Sequence, residues 1–205
     1  MTEKGDMMYL ADVAEVRTGL VLSRKKANDE DLLQYEYKAL NLKCMMPDGY
    51  LVLENSEVFI SNEKIKPDFL TQRNDVLVRL SNPYTAVYIT EEAQCGYVIP
   101  SHFAIIRAYE NLAVPEYINW FLKRDTIKQK ITQNGSGSTA FGTISSGFLA
   151  SLEMRDMPIS EQMIIGKLLL LAEKEQELLY RLAENKAKYN KMMINTIYDR
   201  IKRGN

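Results

Sequence analysis

The chain is short of the residues on which enzymes commonly build their chemistry: it has one histidine, His102, and two cysteines, Cys44 and Cys95. A single imidazole leaves little for a metal centre or a histidine base, and the cysteines lie far apart with no Cys-x-x-Cys spacing. Buried free thiols in a reducing cytoplasm are the expectation. Long apolar runs are missing too. The longest, Leu168 to Ala172, is far too short to span a membrane. Met1 to Asp6 is polar and carries both charge signs, which is not the pattern of a secretory signal. Nor is there an excess of positive charge: the formal net charge is −1, so any affinity for nucleic acid has to reside in a local patch.

What is present is enough apolar material for a core. Hydrophobic residues make up 46% and charged residues 26% of 205, the balance of a globular chain with room for one domain and an appendage. The character changes near Pro158. Upstream, Tyr37–Leu42, Tyr50–Leu53, Val58–Ser61, Val76–Leu80, Ala86–Thr90, Gly96–Ile99 and Phe103–Arg107 read as short strands. Turn formers such as Pro47-Asp48-Gly49 and Ser81-Asn82-Pro83 separate them. One helix interrupts the series, opened by Pro115, with Tyr117, Trp120, Phe121, Ile127 and Ile131 on one face. Gly135 to Thr139 then reads as a loop, and Phe148–Met154 as a strand or short helix. The fold class is α+β, with a mixed domain over residues 1–157 and a long helix over 158–205.

That second part holds no proline after Pro158, and Ser160 suits the N-cap with Glu161 in the first turn. Leu168, Leu171, Glu175, Leu178, Leu182, Asn185, Tyr189, Met192 and Thr196 then recur at alternating spacings of three and four, a seam of period 3.5. About 43 residues of helix extend roughly 65 Å. A stripe of that length outruns a domain of this size and calls for a partner helix; the plainer alternative is a helix folded back on its own domain. Glu175 and Asn185 cost stability in such a seam and can set its register.

Several pieces, in order, carry a family resemblance. They are Leu10-Ala11-Asp12-Val13-Ala14-Glu15-Val16-Arg17-Thr18-Gly19, Leu70-Thr71-Gln72-Arg73-Asn74-Asp75-Val76-Leu77-Val78, Pro115-Glu116-Tyr117-Ile118-Asn119-Trp120-Phe121-Leu122, the Gly135-Ser136 loop, and Met157-Pro158-Ile159-Ser160-Glu161-Gln162. Together they resemble the specificity subunit of a type I restriction–modification system, in a half-length form with one target-recognition domain and one spacer helix. Asn74 stands where the family has Gly, and Asn also tolerates left-handed backbone. The resemblance implies a non-catalytic subunit without a cofactor. Its domain reads one half of a split site in double-stranded DNA. Its helix pairs as an antiparallel coiled coil and docks a DNA methyltransferase subunit, with a restriction nuclease subunit as a further partner. One copy of each module per chain implies a homodimer through the helix and a palindromic target. Assembly with a full-length specificity subunit is an alternative, and so is a coiled-coil adaptor whose head binds protein.

Base readout needs polar side chains on a rigid frame, and phosphate contacts need basic groups, hydroxyls or free backbone N–H. Three places offer them: Arg24, Lys25 and Lys26 in a loop; Arg79, Ser81, Asn82 and Tyr84 where a strand enters a turn; and Lys123, Arg124, Lys128 and Lys130 beside Ser136, Ser138 and Thr139. Solvated charge and plain turns are the competing readings of all three. The partner-helix candidates are Leu168, Leu171, Leu178, Leu182, Asn185, Tyr189 and Met192. Lys186, Lys188, Lys191, Arg200, Lys202 and Arg203 either complement the helix dipole or meet DNA or an acidic partner surface.

Catalytic readings fare worse. Ser81-Asn82-Pro83-Tyr84 is similar to the Asn-Pro-Pro-Tyr motif of amino-methyltransferases, but it lacks one Pro and no Gly-rich loop follows a strand. The Gly135–Ser138 stretch lacks the Gly-Lys-Ser/Thr ending of a phosphate-binding loop. Asp29, Glu30 and Asp31 form a solvated run rather than a nuclease metal cluster.

Overall fold

The computed structural model describes residues 6–28, 33–47, 49–138 and 142–204, with residues 136–138 described by backbone alone. Thr139 and the Asp29–Asp31 run lie outside the described residues. Two compact units divide the chain, Met1–Gly166 and Lys167–Asn205.

The first unit opens with β1 (Met7–Tyr9), the single turn α1 (Leu10–Val13) and β2 (Ala14–Thr18), two strands that the sequence pattern did not announce. The apolar runs then form β3 (Tyr35–Ala39), β4 (Glu57–Ser61), β5 (Val76–Arg79), β6 (Ala86–Tyr88) and β7 (Phe103–Ala108). After them come α2 (Pro115–Lys123), α3 (Asp125–Ser138), α4 (Ser146–Ala150), β8 (Glu153–Arg155) and α5 (Ile159–Arg203). Four strands pair antiparallel in the order β2-β7-β5-β6, while β3 pairs with β4 and β1 with β8. The mixture of helices and mainly antiparallel strands is the expected α+β class.

Strands β5 to β7 read as nearly unbroken apolar runs because both faces of the sheet are covered. On one face Leu77, Val87, Phe103 and Ile105 pack with Leu40, Cys44, Met45, Ile89 and Ile99. Alternation turns Val76, Val78, Ala86, Tyr88, Ala104 and Ile106 the other way. There α2 lies against β5, β6 and β7, with Tyr117, Ile118, Phe121 and Leu122 buried. At the start of β5, Asp75 is almost wholly buried. Its two carboxylate oxygens accept from Arg107 Nε at 2.7 Å and Nη2 at 3.1 Å, and Oδ2 also accepts from the Gln72 N–H at 2.9 Å. Burial raises the Asp75 pKa and the Arg107 guanidinium opposes that rise. Just before it, Asn74 sits at φ 71, the left-handed backbone that Asn tolerates.

Some expected elements come out differently. Tyr50–Leu53 and Gly96–Ile99 are not strands: Leu51 and Val98 make only isolated bridges, and Leu53–Asn55 tightens into a 3₁₀ turn. Val98 bridges Ala39 and Leu70 at once, so three segments meet there by single contacts rather than by a ladder. The helix expected from Pro115 onward breaks at Arg124, whose ψ of 138 is extended, giving α2 and α3 in place of one. Gly135 to Ser138 is the last turn of α3 and not a loop. A glycine costs about 1 kcal/mol in a helix interior, and here Gly135 is required by contact with Tyr84, described below.

α5 begins one residue before the expected cap. The Pro158 carbonyl accepts from the Glu161 and Gln162 N–H groups, so Ser160 lies inside the first turn. Gln162 is buried at 3% exposure; its Oε1 accepts from the Val114 N–H at 2.9 Å and its Nε2 donates to the Met157 carbonyl at 2.8 Å. One turn on, a Cβ at Gly166 would fall 2.6 Å from Glu116 Cβ and 3.0 Å from the Tyr117 nitrogen. The glycine inside the helix is therefore there to let the first turn of α2 approach.

The second unit is helix through Arg203, and none of its described residues is buried. Among the described residues no helix is long and apolar enough to cross a membrane.

Replacing Gln162 with Leu removes both hydrogen bonds and strands a backbone N–H and a carbonyl. The expected loss is about 2–4 kcal/mol, which for a chain of this size lowers Tm by roughly 4–16 °C. Thermal unfolding followed by circular dichroism measures it; an unchanged Tm would show that solvent satisfies both groups.

Candidate nucleic-acid interface

β5 leaves the sheet at Arg79 and passes through buried Leu80 into a turn at Ser81–Tyr84. The Tyr84 N–H closes the turn on the Ser81 carbonyl at 2.9 Å, the Asn82–Pro83 peptide is cis, and Tyr84 sits at φ 54. Arg79 Nε donates to Ser81 Oγ at 3.1 Å, which aims the guanidinium along the turn. Ser81 and Arg79 are partly exposed, Asn82 and Pro83 exposed, and Tyr84 buried.

The turn is stitched to a segment some sixty residues on. The Tyr84 hydroxyl donates to the Gly142 carbonyl, with Gly142 at φ 60. Ser81 bridges Thr143, and the Ile144 N–H donates to the Leu80 carbonyl at 2.9 Å. A Cβ on Gly135 would lie 2.0 Å from the Tyr84 hydroxyl oxygen, so no side chain fits there. Two of the three sequence candidates, the Ser81–Tyr84 turn and the Gly135 region, thus form one surface. Tyr84 is interior to it: its hydroxyl is taken up in holding the two segments together.

Basic residues follow along α2 and α3. Lys128 and Lys130 are exposed and, at helical spacing, flank the buried stripe of Ile127 and Ile131. Arg124 lies 5.1 Å from the Trp120 ring centroid, within cation–π range. The Lys123 ammonium reaches toward Gly49, where a Cβ would come within 2.7 Å of it.

The third candidate belongs to a different sheet. Lys26 bridges Ser61 and the Ala27 N–H donates to the Ile60 carbonyl, so this segment runs along β4. Lys25 is paired with Glu63 at 2.7 Å, while Arg24 and Lys26 are exposed.

Two features at the stitched turn escaped the sequence reading. Gly142 and Thr143 carry no local signal for contact with residue 81, since the pairing spans about sixty positions. His102, a lone histidine in the sequence, sits here as well: its carbonyl accepts from the Leu80 N–H at 3.0 Å and its ring feels the Arg79 charge. Among the described residues no group of three His, Cys, Asp or Glu side chains is placed to hold a metal ion.

The other candidate surface is α5 itself. Leu171 is 61%, Leu178 54% and Met192 66% exposed, and Leu168, Leu182 and Tyr189 are likewise open. Ile194, Ile197, Tyr198 and Ile201 are also exposed and form a second stripe offset from the seam. These four residues lie outside the 3.5-residue seam of Leu168 to Thr196.

No family model matches the chain, and no curated protein does. Solved structures match its fold. One is a chain of a type I restriction–modification system, from work on complex assembly and conformational transition; it is 16% identical with a TM-score of 0.63, over 88% of this chain and 45% of that one. The HsdS subunit from Thermoanaerobacter tengcongensis is 16% identical, with a TM-score of 0.60 over 90% of this chain and 46% of its own. The S subunit of the type I system of M. genitalium is 10% identical, with a TM-score of 0.51 over 86% and 41%. The chain thus spans less than half the length of these relatives. At such identities the likeness is one of fold, and the fold is that of part of a type I specificity subunit, as the motifs implied.

Burial and the Arg79 charge lower the His102 pKa from its ordinary 6.5. Below about 6.5 the unfolded chain takes up a proton that the folded state resists, so this residue's contribution to stability is present above that pH and lost as pH falls. We expect His102→Gln to flatten the acid side of the stability profile, read from urea unfolding across a pH series. Parallel profiles for the two proteins would mean that His102 ionises alike in both states.

Proposed function

We propose that the chain is a DNA specificity subunit of a restriction–modification complex, reading one half of a bipartite site in double-stranded DNA and directing a methyltransferase to it. The observation that carries the reading is the stitched surface at the end of β5, set in the fold of a type I specificity subunit. A rigid sheet end presents Arg79, Ser81 and Asn82, and Tyr84 and Gly142 pin the turn to the segment after α3. Side chains on such a frame suit base readout, while Lys128, Lys130 and the hydroxyls of Ser136, Ser138 and Thr139 suit phosphate contact. Arg24 and Lys26 on the β4 edge offer a further backbone contact. With a net charge of −1, affinity in this proposal rests on these local basic groups rather than on an overall positive field.

The domain over residues 1–157 does the reading in this proposal, and the helix over 158–205 does the assembling. A second copy of the chain supplies the facing helix, giving a two-fold homodimer whose identical domains favour a palindromic target. Catalysis belongs to the methyltransferase, and to a nuclease subunit where one joins. A coiled-coil adaptor whose globular head binds protein is the second reading, and the exposed seam of α5 suits it equally.

Selection from a pool of randomised duplexes, followed by sequencing, tests the proposal. An enriched bipartite motif is the expected result, and enrichment of nothing over input would leave the adaptor reading. Affinity for the selected duplex should fall steeply as salt rises, and Lys128→Ala and Lys130→Ala should each lower the salt slope by about one. Binding that is flat in salt would remove the phosphate contacts from the proposal. For assembly, Leu171→Glu together with Leu178→Glu should convert a dimer into a monomer in sedimentation equilibrium; a persisting dimer would place the interface elsewhere.

A further inference from the structure

Three arginines stand on the four-stranded sheet, and they are held differently. Arg17 pairs with Glu15 and Asp68, both at 3.4 Å, and Arg107 with Asp75 at 2.7 Å. Arg79 is bonded to no carboxylate among the described residues; its Nε donates to a neutral hydroxyl, Ser81 Oγ, at 3.1 Å. We infer that the Arg79 guanidinium donates end-on to N7 and O6 of one guanine in the major groove, with Ser81 as the positioning residue that aims it. This rests on the DNA reading above and deepens it, since it fixes one base of the half-site.

The backbone under this arginine is fixed on both sides. The Arg79 N–H donates to the Thr85 carbonyl at 2.9 Å and the Leu80 N–H to the His102 carbonyl at 3.0 Å. The Leu80 carbonyl in turn accepts from the Ile144 N–H at 2.9 Å. Alternation puts Arg79 on the face of Leu77, with Phe103 opposite it in the ladder. Leu77 and Phe103 are wholly buried while Arg79 and Ser81 are partly exposed, so the arginine side chain leaves the core at the sheet end. The bond from Nε to Ser81 occupies one edge of the guanidinium. Both Nη groups are left without a bond to any described residue.

Two kinds of acceptor on DNA match such a fork: the oxygens of a phosphate, and the adjacent N7 and O6 of guanine. Direction separates them. A phosphate contact needs only a basic group within reach, which the exposed Lys128 and Lys130 supply without fixed orientation. Reading a base edge needs a donor whose direction is locked by its surroundings. Arg79 has that lock, and the Ser81 that provides it stands between buried Leu80 and buried Tyr84. The choice of base follows from the donors. Adenine sets an N6 donor beside its N7, cytosine presents an N4 donor, and thymine a single O4 beside a methyl group. Only guanine offers two adjacent acceptors to a group that can only donate.

Selection from randomised duplexes with the full chain, run beside Arg79→Gln, tests this. The wild-type motif should contain a guanine that Arg79→Gln no longer selects, the other positions being kept, because glutamine suits adenine. Replacing that guanine with adenine should cost wild-type binding about 5–150-fold. At the same position 7-deazaguanine, which lacks N7, should weaken the wild type and not Arg79→Gln, while inosine, which keeps N7 and O6, should bind as guanine does. Identical motifs from the two chains would overturn the inference. So would uniform weakening by Arg79→Gln across sequences with a salt slope lower by about one, the mark of a phosphate contact. A wild type that enriches no motif would instead defeat the DNA reading itself. If Arg79→Gln fails to fold by circular dichroism, Ser81→Ala decides, because the ties of Ser81 to Thr143 and Tyr84 run through its backbone. Ser81→Ala should lose preference at the guanine position alone, with the salt slope unchanged, and Ser81→Thr should restore it. Full guanine preference in Ser81→Ala would overturn the aimed readout.

Discussion

The buried pair of Asp75 and Arg107 is the constraint on which the first unit turns. Asp75 sits at the entrance to β5 and Arg107 near the end of β7, the neighbouring strand, and two charge-assisted hydrogen bonds join them. Arg107 also donates to the Leu70 carbonyl at 3.0 Å and lies near Asp68, which in turn pairs with Arg17 of β2 at 3.4 Å. One buried carboxylate thereby gathers three strands and the loop before them. Removing one partner of such a pair costs about 3–5 kcal/mol, because the other charge is left buried. A slip of β5 by one residue would break it and turn every β5 side chain to the wrong face.

That lock acts at one end of β5, and the candidate site lies at the other. With Val76 opposite Ile106 and Arg79 opposite Phe103, the register decides that Arg79 and Ser81 emerge beside His102. From there the tyrosine stitch takes over. Tyr84 accepts left-handed backbone, which bulky residues rarely do, and its ring leaves room at position 135 for hydrogen only. Strain of this kind persists where surrounding contacts hold it. Here they are the Gly142 hydrogen bond, the bridge to Thr143 and the Ile144–Leu80 bond. The result is a surface whose frame is held by backbone contacts and the buried Tyr84 hydroxyl, with Asn82 exposed at its edge.

The helix shows the opposite economy. Its first turns are tied down by Gln162 and by the close approach at Gly166, yet beyond them large apolar side chains stand exposed along two stripes. Burying a leucine or isoleucine gains about 1.5–3 kcal/mol, so a run of them left in water is a strong drive toward association. The first stripe has the regularity of a seam between helices. The second, Ile194 to Ile201, is offset from the first and likewise exposed.

Much of this was legible in the sequence. The 3.5 repeat, the absence of proline after Pro158 and the strand-like runs between turn formers follow from local periodicity, and periodicity is a property of the chain alone. Asn74 was readable as a left-handed position, and the ordered motifs pointed to the fold that the structural comparisons then matched. Tertiary structure decided the rest. It turned Gly135–Ser138 from an expected loop into a helical turn, split one expected helix at Arg124, and left Gly96–Ile99 with single bridges instead of a ladder. It also joined Ser81 and Tyr84 to Gly142 and Thr143. Those outcomes hinge on contacts between residues tens of positions apart, whose energies outweigh the local preferences of about 1 kcal/mol that a sequence displays.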